Sequence, residues 1–316
     1  MKGSKDKNLS LHPDVPSVYH VPVMLNKVVE NLNIQRDGIY VDCTFGGGGH
    51  SDAILKKLSA KGKLIAFDQD EDAKANIPDD PRVHFIPHNF RHLNRFLRLG
   101  GWQQVDGIIA DLGVSSHQFD EGSRGFSTRF DAALDMRMDQ RQELKAFDIL
   151  NGYPEQALHK LFEKYGEVTN AKTLARTIVE RRNNSDISTI EGFKNVVAGI
   201  VKGVPNKYFS QVFQALRIEV NDELGALKEL LQHVPEALKP GGRIAIITFH
   251  SLEDRLVKTF FRDGTFEIKN ENPFETHKQN TNPMKTINKK PIQASAEEVQ
   301  KNPRSRSAKL RVAEKR

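Results

Sequence analysis

Apolar positions along the first third of the chain follow two alternating rhythms. In "VPVMLNKVVENL", Leu25, Val28, Val29 and Leu32 recur at helical spacing, with Val21 and Pro22 leading in. After the turn "RDG", the run "IYVDC" is β-rich and ends at four consecutive glycines, Gly46 to Gly49. "HSDAILKKLSAKG" reads as a helix closed by Gly62. "KLIAFD" is a second strand, "EDAKANI" a helix stopped by Pro78, "VHFIPHNF" a third strand and loop, and "VDGIIADLGVSS" a fourth strand with its loop. Strands alternating with helices predict an α/β fold with a parallel sheet.

That pattern breaks at Gln118. From there to Lys207 no buried strand is legible, while "EQALHKLFEKYGE", "AKTLARTIVERR" and "IEGFKNVVAGIVK" all carry a helical period. "QVFQALRIEVNDELGALKELLQHVPEALKPGG" continues as two helical stretches. The apolar strand "RIAIITF" and the helix "EDRLVKTFF" follow. "TFEIK" and "AKLRVAE" fit an antiparallel hairpin at the sheet edge. The expected organisation is one α/β domain in two parts, residues 1–117 and 208–316, around a helical insertion over 118–207. Residues 1–18 are polar and predict no element, and no internal repeat is present.

Composition narrows the class. With 316 residues, 38% hydrophobic and 28% charged, the chain has ordinary globular composition. A net charge of +6 and a pI of about 9.2 favour a polyanionic partner, nucleic acid before membrane. One cysteine, Cys43, excludes an internal disulfide and argues against a secreted, stapled protein. The polar start carries no signal-peptide pattern and no apolar run reaches the ~20 residues of a membrane span. A cytoplasmic protein is the expectation.

The four glycines are the first chemical clue. Glycine adopts positive φ freely and lets a ligand approach the main chain, and a loop between the first strand and first helix lies at the ligand-binding edge of an open α/β sheet. Gly46 to Gly49 therefore read as the floor of a nucleotide-type site, with a tight ligand-free turn as the plainer alternative. Gly46 and Gly48 open a dinucleotide fingerprint, but Ser51 stands where its third glycine belongs. Asp68, at the end of the second strand, can accept hydrogen bonds from both hydroxyls of a ribose, or simply cap the next helix. NAD and S-adenosylmethionine enzymes share that device. Asp111 tilts the choice. It ends the fourth strand, where Rossmann-type methyltransferases place the residue that handles the nucleophile, and the late hairpin suits their sheet better than that of a dehydrogenase.

Beyond these, "HVPVML", "DCTFGGGGHS", "DGIIADLGVSSHQ", "RGFS", "LDMRMD", "FQALRIEVNDEL", "GGRIAIITFHSLEDR" and "NPRSRSAKLR" occur in order over nearly the whole chain. In these motifs the chain resembles the ribosomal RNA small subunit methyltransferase H (RsmH, MraW) family. The resemblance implies a class I methyltransferase fold with a helical insertion domain, S-adenosyl-L-methionine as cofactor, and N4-methylation of one cytidine in the P-site decoding region of bacterial 16S rRNA. It implies cofactor contacts at Gly48, Gly49, His50, Asp68, Phe90, Asp111 and Gln118, and the assembled 30S subunit as substrate. One departure is Gln211 in "SQVFQALRI", where many relatives carry arginine; another is the polar segment 270–290, which matches nothing well.

The chemistry sets further expectations. The cytosine amine is conjugated with its ring, so transfer needs in-line placement and acceptors for its hydrogens. Asp111 is the candidate catalytic acceptor. The chain has "DLGV" in place of a proline–aromatic loop, so Phe249 or Phe126 would serve as the platform for the base. His50 fits a cofactor contact or a plain first-turn polar position. His250 fits a substrate-side position or a helix start capped by Ser251 and Asp254. No metal-ligand constellation is legible, and Cys43 reads as a small buried hydrophobe. Arg176, Arg181 and Arg182 in the insertion, and Lys301, Arg304, Arg306, Lys309 and Arg311 near the end, are candidates for phosphate contacts. The same fold acting on DNA or a small molecule, an NAD-dependent oxidoreductase, and a non-catalytic RNA-binding module are the competing readings.

Overall fold

The computed structural model describes residues 22–266 and 282–316. Its sheet contains β1 (Ile39–Asp42), β2 (Lys63–Phe67), β3 (Val83–Ile86), β4 (Val105–Asp111), β5 (Leu238–Thr248), β6 (Met284–Thr286), β7 (Ile292–Gln293) and β8 (Lys309–Lys315). The order is β3-β2-β1-β4-β5-β8-β6, with β7 also paired to β8. The first five strands pair in parallel, and β8 runs antiparallel to β5. A parallel sheet is covered on both faces, so its strands read as continuous apolar runs. Val41, Ile65, Ile108 and Ile246 point into one cluster, while Tyr40, Leu64, Ile109 and Ile247 point into the other. The order, with its antiparallel late strand, is that of the expected class I methyltransferase fold.

Helices α1 (Leu25–Leu32) and α2 (Gly49–Leu55) cover one face through Val28, Leu32 and Ile54. The helix α3 (Leu93–Leu99) covers the other face, through Leu93 and Leu97. Beyond β4 come α4 (Ser116–Asp120), α5 (Ala146–Gly152), α6 (Glu155–Gly166), α7 (Ala171–Arg181), α8 (Ile190–Val197) and α9 (Pro205–Asn221). They surround an apolar cluster of their own, which includes Leu158, Phe162, Leu174 and Phe193. This helical body does not stop at residue 207. Val212, Leu216 and Val220 of α9 pack into the same cluster. After Asp222, at φ +45°, the chain turns into α10 (Glu223–Ala237) and returns to the sheet. The helices α11 (Ser251–Asp263) and α12 (Ala296–Lys301) complete the fold, and α10 and α11 share the face of α3.

Two local expectations differ from the structure, and a third falls largely outside the described residues. "EDAKANI" forms a 3₁₀ helix, Glu71–Asn76, whose start is capped by the Asp70 side chain. The helix expected to run to Gly62 ends at Leu55, because Arg82 Nη1 donates to the carbonyls of Leu55 and Leu58 at 3.1 and 3.0 Å and satisfies the chain end. Of the "TFEIK" segment, residues 267–269 lie outside the described residues, as does most of the segment 270–290. Among the described residues, β8 pairs with β5, β6 and β7.

The basic run near the end is likewise no free tail. Arg311 is buried within β8, and its Nε lies 2.6 Å from Asp254 on α11, which also meets Lys309. Lys301 pairs with Glu297, and Arg304 with Asp120. Breaking a buried pair strands the remaining charge. Asp254→Ala is therefore expected to cost about 3 kcal/mol, read as a lower denaturation midpoint in urea with an unchanged slope.

Candidate functional site

A cavity of about 1760 Å³ opens at the carboxyl ends of β1, β2 and β4, and all seven expected contact residues, from Gly48 to Gln118, line it. The glycine loop has two distinct causes. Gly46 and Gly48 lie at φ +49° and +75°, where a side chain is strained. Gly49 has ordinary φ, but a Cβ there would fall 2.1 Å from Pro22 Cγ. Its missing side chain makes room for Pro22, not for a ligand. Gly49→Ala should accordingly lose about 1–3 kcal/mol by overpacking. Pro22→Ala in the same chain should recover most of it, because it removes the two nearest atoms and leaves Pro22 Cβ at an ordinary 3.4 Å. Thermal melts of the two variants decide this.

Asp68 is held by the loop it serves. Its Oδ2 accepts from Gly46 N at 2.7 Å and its Oδ1 from Asp70 N at 2.9 Å. Burial pushes its pKa up to about 6, against the two hydrogen bonds that favour the carboxylate. Gln118 is buried with both ends of its amide engaged. Nε2 donates to Asp70 Oδ2 at 2.7 Å, and Oε1 accepts from Ser115 N in the capping box of α4. Arg124, also buried, closes the same network onto Asp70 and Asp72. Gln118 thus fastens α4 to the loop after β2. Phe90 begins a short 3₁₀ turn after β3 and packs half-buried beside the sheet core.

Asp111 closes the far side of the cavity. Its N–H donates to Thr44 Oγ1 at 2.7 Å, and its Oδ1 is buried without a hydrogen-bond partner among the described residues. Burial, reinforced by the carboxylates of Asp42 and Glu253, pushes its pKa well above the usual range. His50 is buried beside it. Nε2 lies 3.1 Å from the Val23 carbonyl, which assigns the proton there, and Nδ1 faces Asp111 Oδ2 at 3.8 Å. Desolvation lowers the His50 pKa, so the ring is neutral at pH 7. Asp42 behind them accepts from Ser51 Oγ at 2.8 Å, and Cys43 is a buried core residue, as expected.

The sequence profile of the MraW methylase family matches residues 17–316. The chain belongs to the MraW methylase family. It is 53% identical over 301 residues to the ribosomal RNA small subunit methyltransferase H of Parabacteroides distasonis, covering 95% of this chain and 98% of that one. The protein of the same name from Flavobacterium johnsoniae is 54% identical over 298 residues, covering 94% and 98%. A solved rRNA methylase from Streptococcus thermophilus is 13% identical with a TM-score of 0.38, covering 92% and 93%.

The remaining MraW motifs place several residues differently from expectation. Phe249 lines the cavity, whereas Phe126 is buried in the helical cluster beneath Arg124 and does not reach it. The α11 cap is not the expected pair of Ser251 and Asp254. His250 Nδ1 accepts from Glu253 N, and Glu253 Oε2 accepts from Phe249 N at 2.8 Å. His250 itself is not among the cavity-lining residues; Glu253 is. Arg181 and Arg182 donate to main-chain carbonyls inside the helical body, at Val196 and Tyr153, which leaves Arg176 facing outward. Gln211 donates to the Glu167 carbonyl within that same body, outside the cavity.

One group escaped the sequence reading altogether. Glu223, His250 and Glu253 bring metal-type ligand atoms within 4.8 Å of one another, with Glu223 at the start of α10 and the other two at the start of α11. Arg217 forks onto both oxygens of Glu223 at 2.7 and 2.9 Å. Its guanidinium already supplies the positive charge that a metal would bring there, in the bidentate form that neutralises a carboxylate best.

Proposed function

We propose that this chain transfers a methyl group from S-adenosyl-L-methionine to the N4 amine of one cytidine in the P-site decoding region of 16S rRNA, within the assembled 30S subunit. The orphaned Asp111 Oδ1, buried at the end of β4 in the same cavity as Asp68, is the observation that carries the reading. A carboxylate oxygen with no partner among the described residues is placed to accept a hydrogen from an amine. Membership of the MraW family and the names of its close relatives support rRNA as the acceptor.

The residues fit the cofactor. Asp68 retains lone pairs for ribose hydroxyls after its two main-chain bonds, Gly46 and Gly48 bare the loop backbone, and Phe90 flanks the space beside β3. The cavity also exceeds the ~300–1,000 Å³ of ordinary small-molecule sites, so a nucleotide fits beside the cofactor. When bound, S-adenosylmethionine supplies an electrophilic methyl on a sulfonium sulfur. With it bound, the amine nitrogen would take the methyl as the C–S bond breaks, and the proton that nitrogen must then shed would need an acceptor from this chain. Asp111 Oδ1 orients the amine by accepting one hydrogen and takes its proton after transfer. The raised pKa of Asp111 brings it closer to a useful base at neutral pH. Neutral His50 makes no competing salt bridge with Oδ2.

The test uses 30S subunits from a strain lacking this gene, incubated with the protein and labelled S-adenosylmethionine, then nucleoside mass spectrometry of the digested rRNA. N4-methylcytidine at a single decoding-region position is expected. Cofactor binding without any label in rRNA would sink the acceptor assignment.

A further inference from the structure

At the rim of the cavity, two arginines and two phenylalanines alternate. Arg304 lies over the Phe119 ring, 5.6 Å from guanidinium carbon to centroid. Arg129 lies over the same ring at 5.8 Å and over Phe130 at 5.5 Å. The order is thus Arg304, Phe119, Arg129, Phe130. Both guanidiniums are held by one carboxylate, Asp120, with Arg129 Nη2 at 2.9 Å and Arg304 Nη2 at 3.0 Å. Phe119, Asp120 and Arg304 line the cavity itself.

The outer rung is built to stay in place yet remain open. A Cβ on Gly122 would stand 3.0 Å from the Phe130 ring, so the ring is seated directly on the Gly122 backbone. Phe130 is nevertheless 43% exposed, one of few large apolar side chains in the described residues that solvent reaches to that extent. An exposed aromatic fixed from below and flanked by a guanidinium has no role in the helical core, whose cluster it does not join. The group carries two positive charges against one negative, so it favours an anionic ligand. Alternating aromatic and guanidinium surfaces next to cationic groups are what single-stranded RNA uses. Bases stack on the rings and on arginine planes while phosphates meet the charges.

We propose that this ladder grips the single-stranded RNA beside the target cytidine, with a neighbouring base stacked on Phe130 and its phosphates against Arg129 and Arg304. This rests on the rRNA reading above and adds the residues that hold the strand. A base that enters the cavity must leave its stack, and its neighbour then loses a stacking partner. A ring at the rim replaces that partner. Arg304 comes from the C-terminal segment and Arg129 from the insertion, so the ladder also ties the two across the opening.

The experiment compares Phe130→Leu, which keeps apolar bulk without a π face, with Phe130→Trp, which keeps the face. Steady-state methylation of 30S subunits is measured alongside cofactor affinity. Phe130→Leu is expected to raise KM for 30S about five- to a hundredfold, with kcat and cofactor Kd within twofold of wild type. Phe130→Trp should retain the wild-type KM. Ultraviolet crosslinking of the wild-type protein to 30S should yield a Phe130 peptide carrying a nucleotide. An unchanged KM in Phe130→Leu, equal damage in both variants, or crosslinks from Phe130 to a ribosomal protein would overturn the proposal. If wild-type protein fails to methylate 30S at all, the rRNA reading has failed instead, and that is seen before any variant is made.

Discussion

Asp111→Asn is expected to slow methyl transfer by about a hundred- to ten-thousand-fold, the range for losing a positioned proton acceptor. The amide keeps one acceptor oxygen and nearly the same shape, so cofactor binding should change little. What is lost is the capacity to take the proton. The pH dependence follows with a definite sign. Asp42 and Glu253 face Asp111 as carboxylates and His50 faces it as a neutral ring, so the Asp111 pKa is raised and its basic form grows as pH rises. Wild-type kcat should therefore climb with pH until Asp111 is fully ionised, and the variant should show no such limb.

Stability should move the opposite way. A carboxyl whose folded pKa lies above its unfolded value holds its proton longer in the folded state, so stability falls as pH rises between the two values. At pH 7 the native protein bears the cost of that buried group, and Asp111→Asn removes it. The variant should melt at or above the wild-type temperature while being nearly inactive. A variant that is both slow and unstable would mean that Asp111 is a packing residue.

Asp68→Ala should weaken cofactor affinity by about a hundredfold or more, since hydrogen bonds to a charged group contribute ~1.5–3 kcal/mol each. Two ribose hydroxyls are at stake, and the Gly46 and Asp70 amides lose their acceptor as well. With a pKa of about 6, Asp68 loses its charge as pH falls through that value. Calorimetric titration should show wild-type affinity dropping from about pH 7.5 to pH 5, with Asp68→Asn flattening the curve. A wild-type curve flat over this range would exclude an ionised Asp68 from the contact.

How far the chain alone reveals this protein depends on the range of the interaction concerned. The strands of the sheet are legible because burial on both faces writes itself into contiguous apolar runs such as "IYVDC" and "RIAIITF". The glycine loop is legible because positive φ at Gly46 and Gly48 selects one residue type. Asp68 and Asp111 are legible because a parallel sheet puts the ends of all its strands on one edge. The insertion shows as a change of period, though its end does not. The apolar positions of α9 have the same spacing whichever body they face, and only packing assigns Val212 and Leu216 to the helical cluster.

Contacts between distant positions leave no periodic trace. Arg304 reaches Asp120 from 184 positions away, so its charge reads as part of a basic tail until the fold brings it to the cavity rim beside that carboxylate. Pro22 explains Gly49 only once α1 and α2 are packed together. Gln118 reads from the chain as a cofactor contact, and in the fold its amide holds Asp70, while Glu253, unnoticed in its helix, takes the cap and the cavity wall together. Local backbone demands and burial patterns are encoded residue by residue along this chain. Which charges meet, and which carboxylate oxygen is left without a partner, depends on the close approach of segments far apart in sequence, which only the folded chain sets.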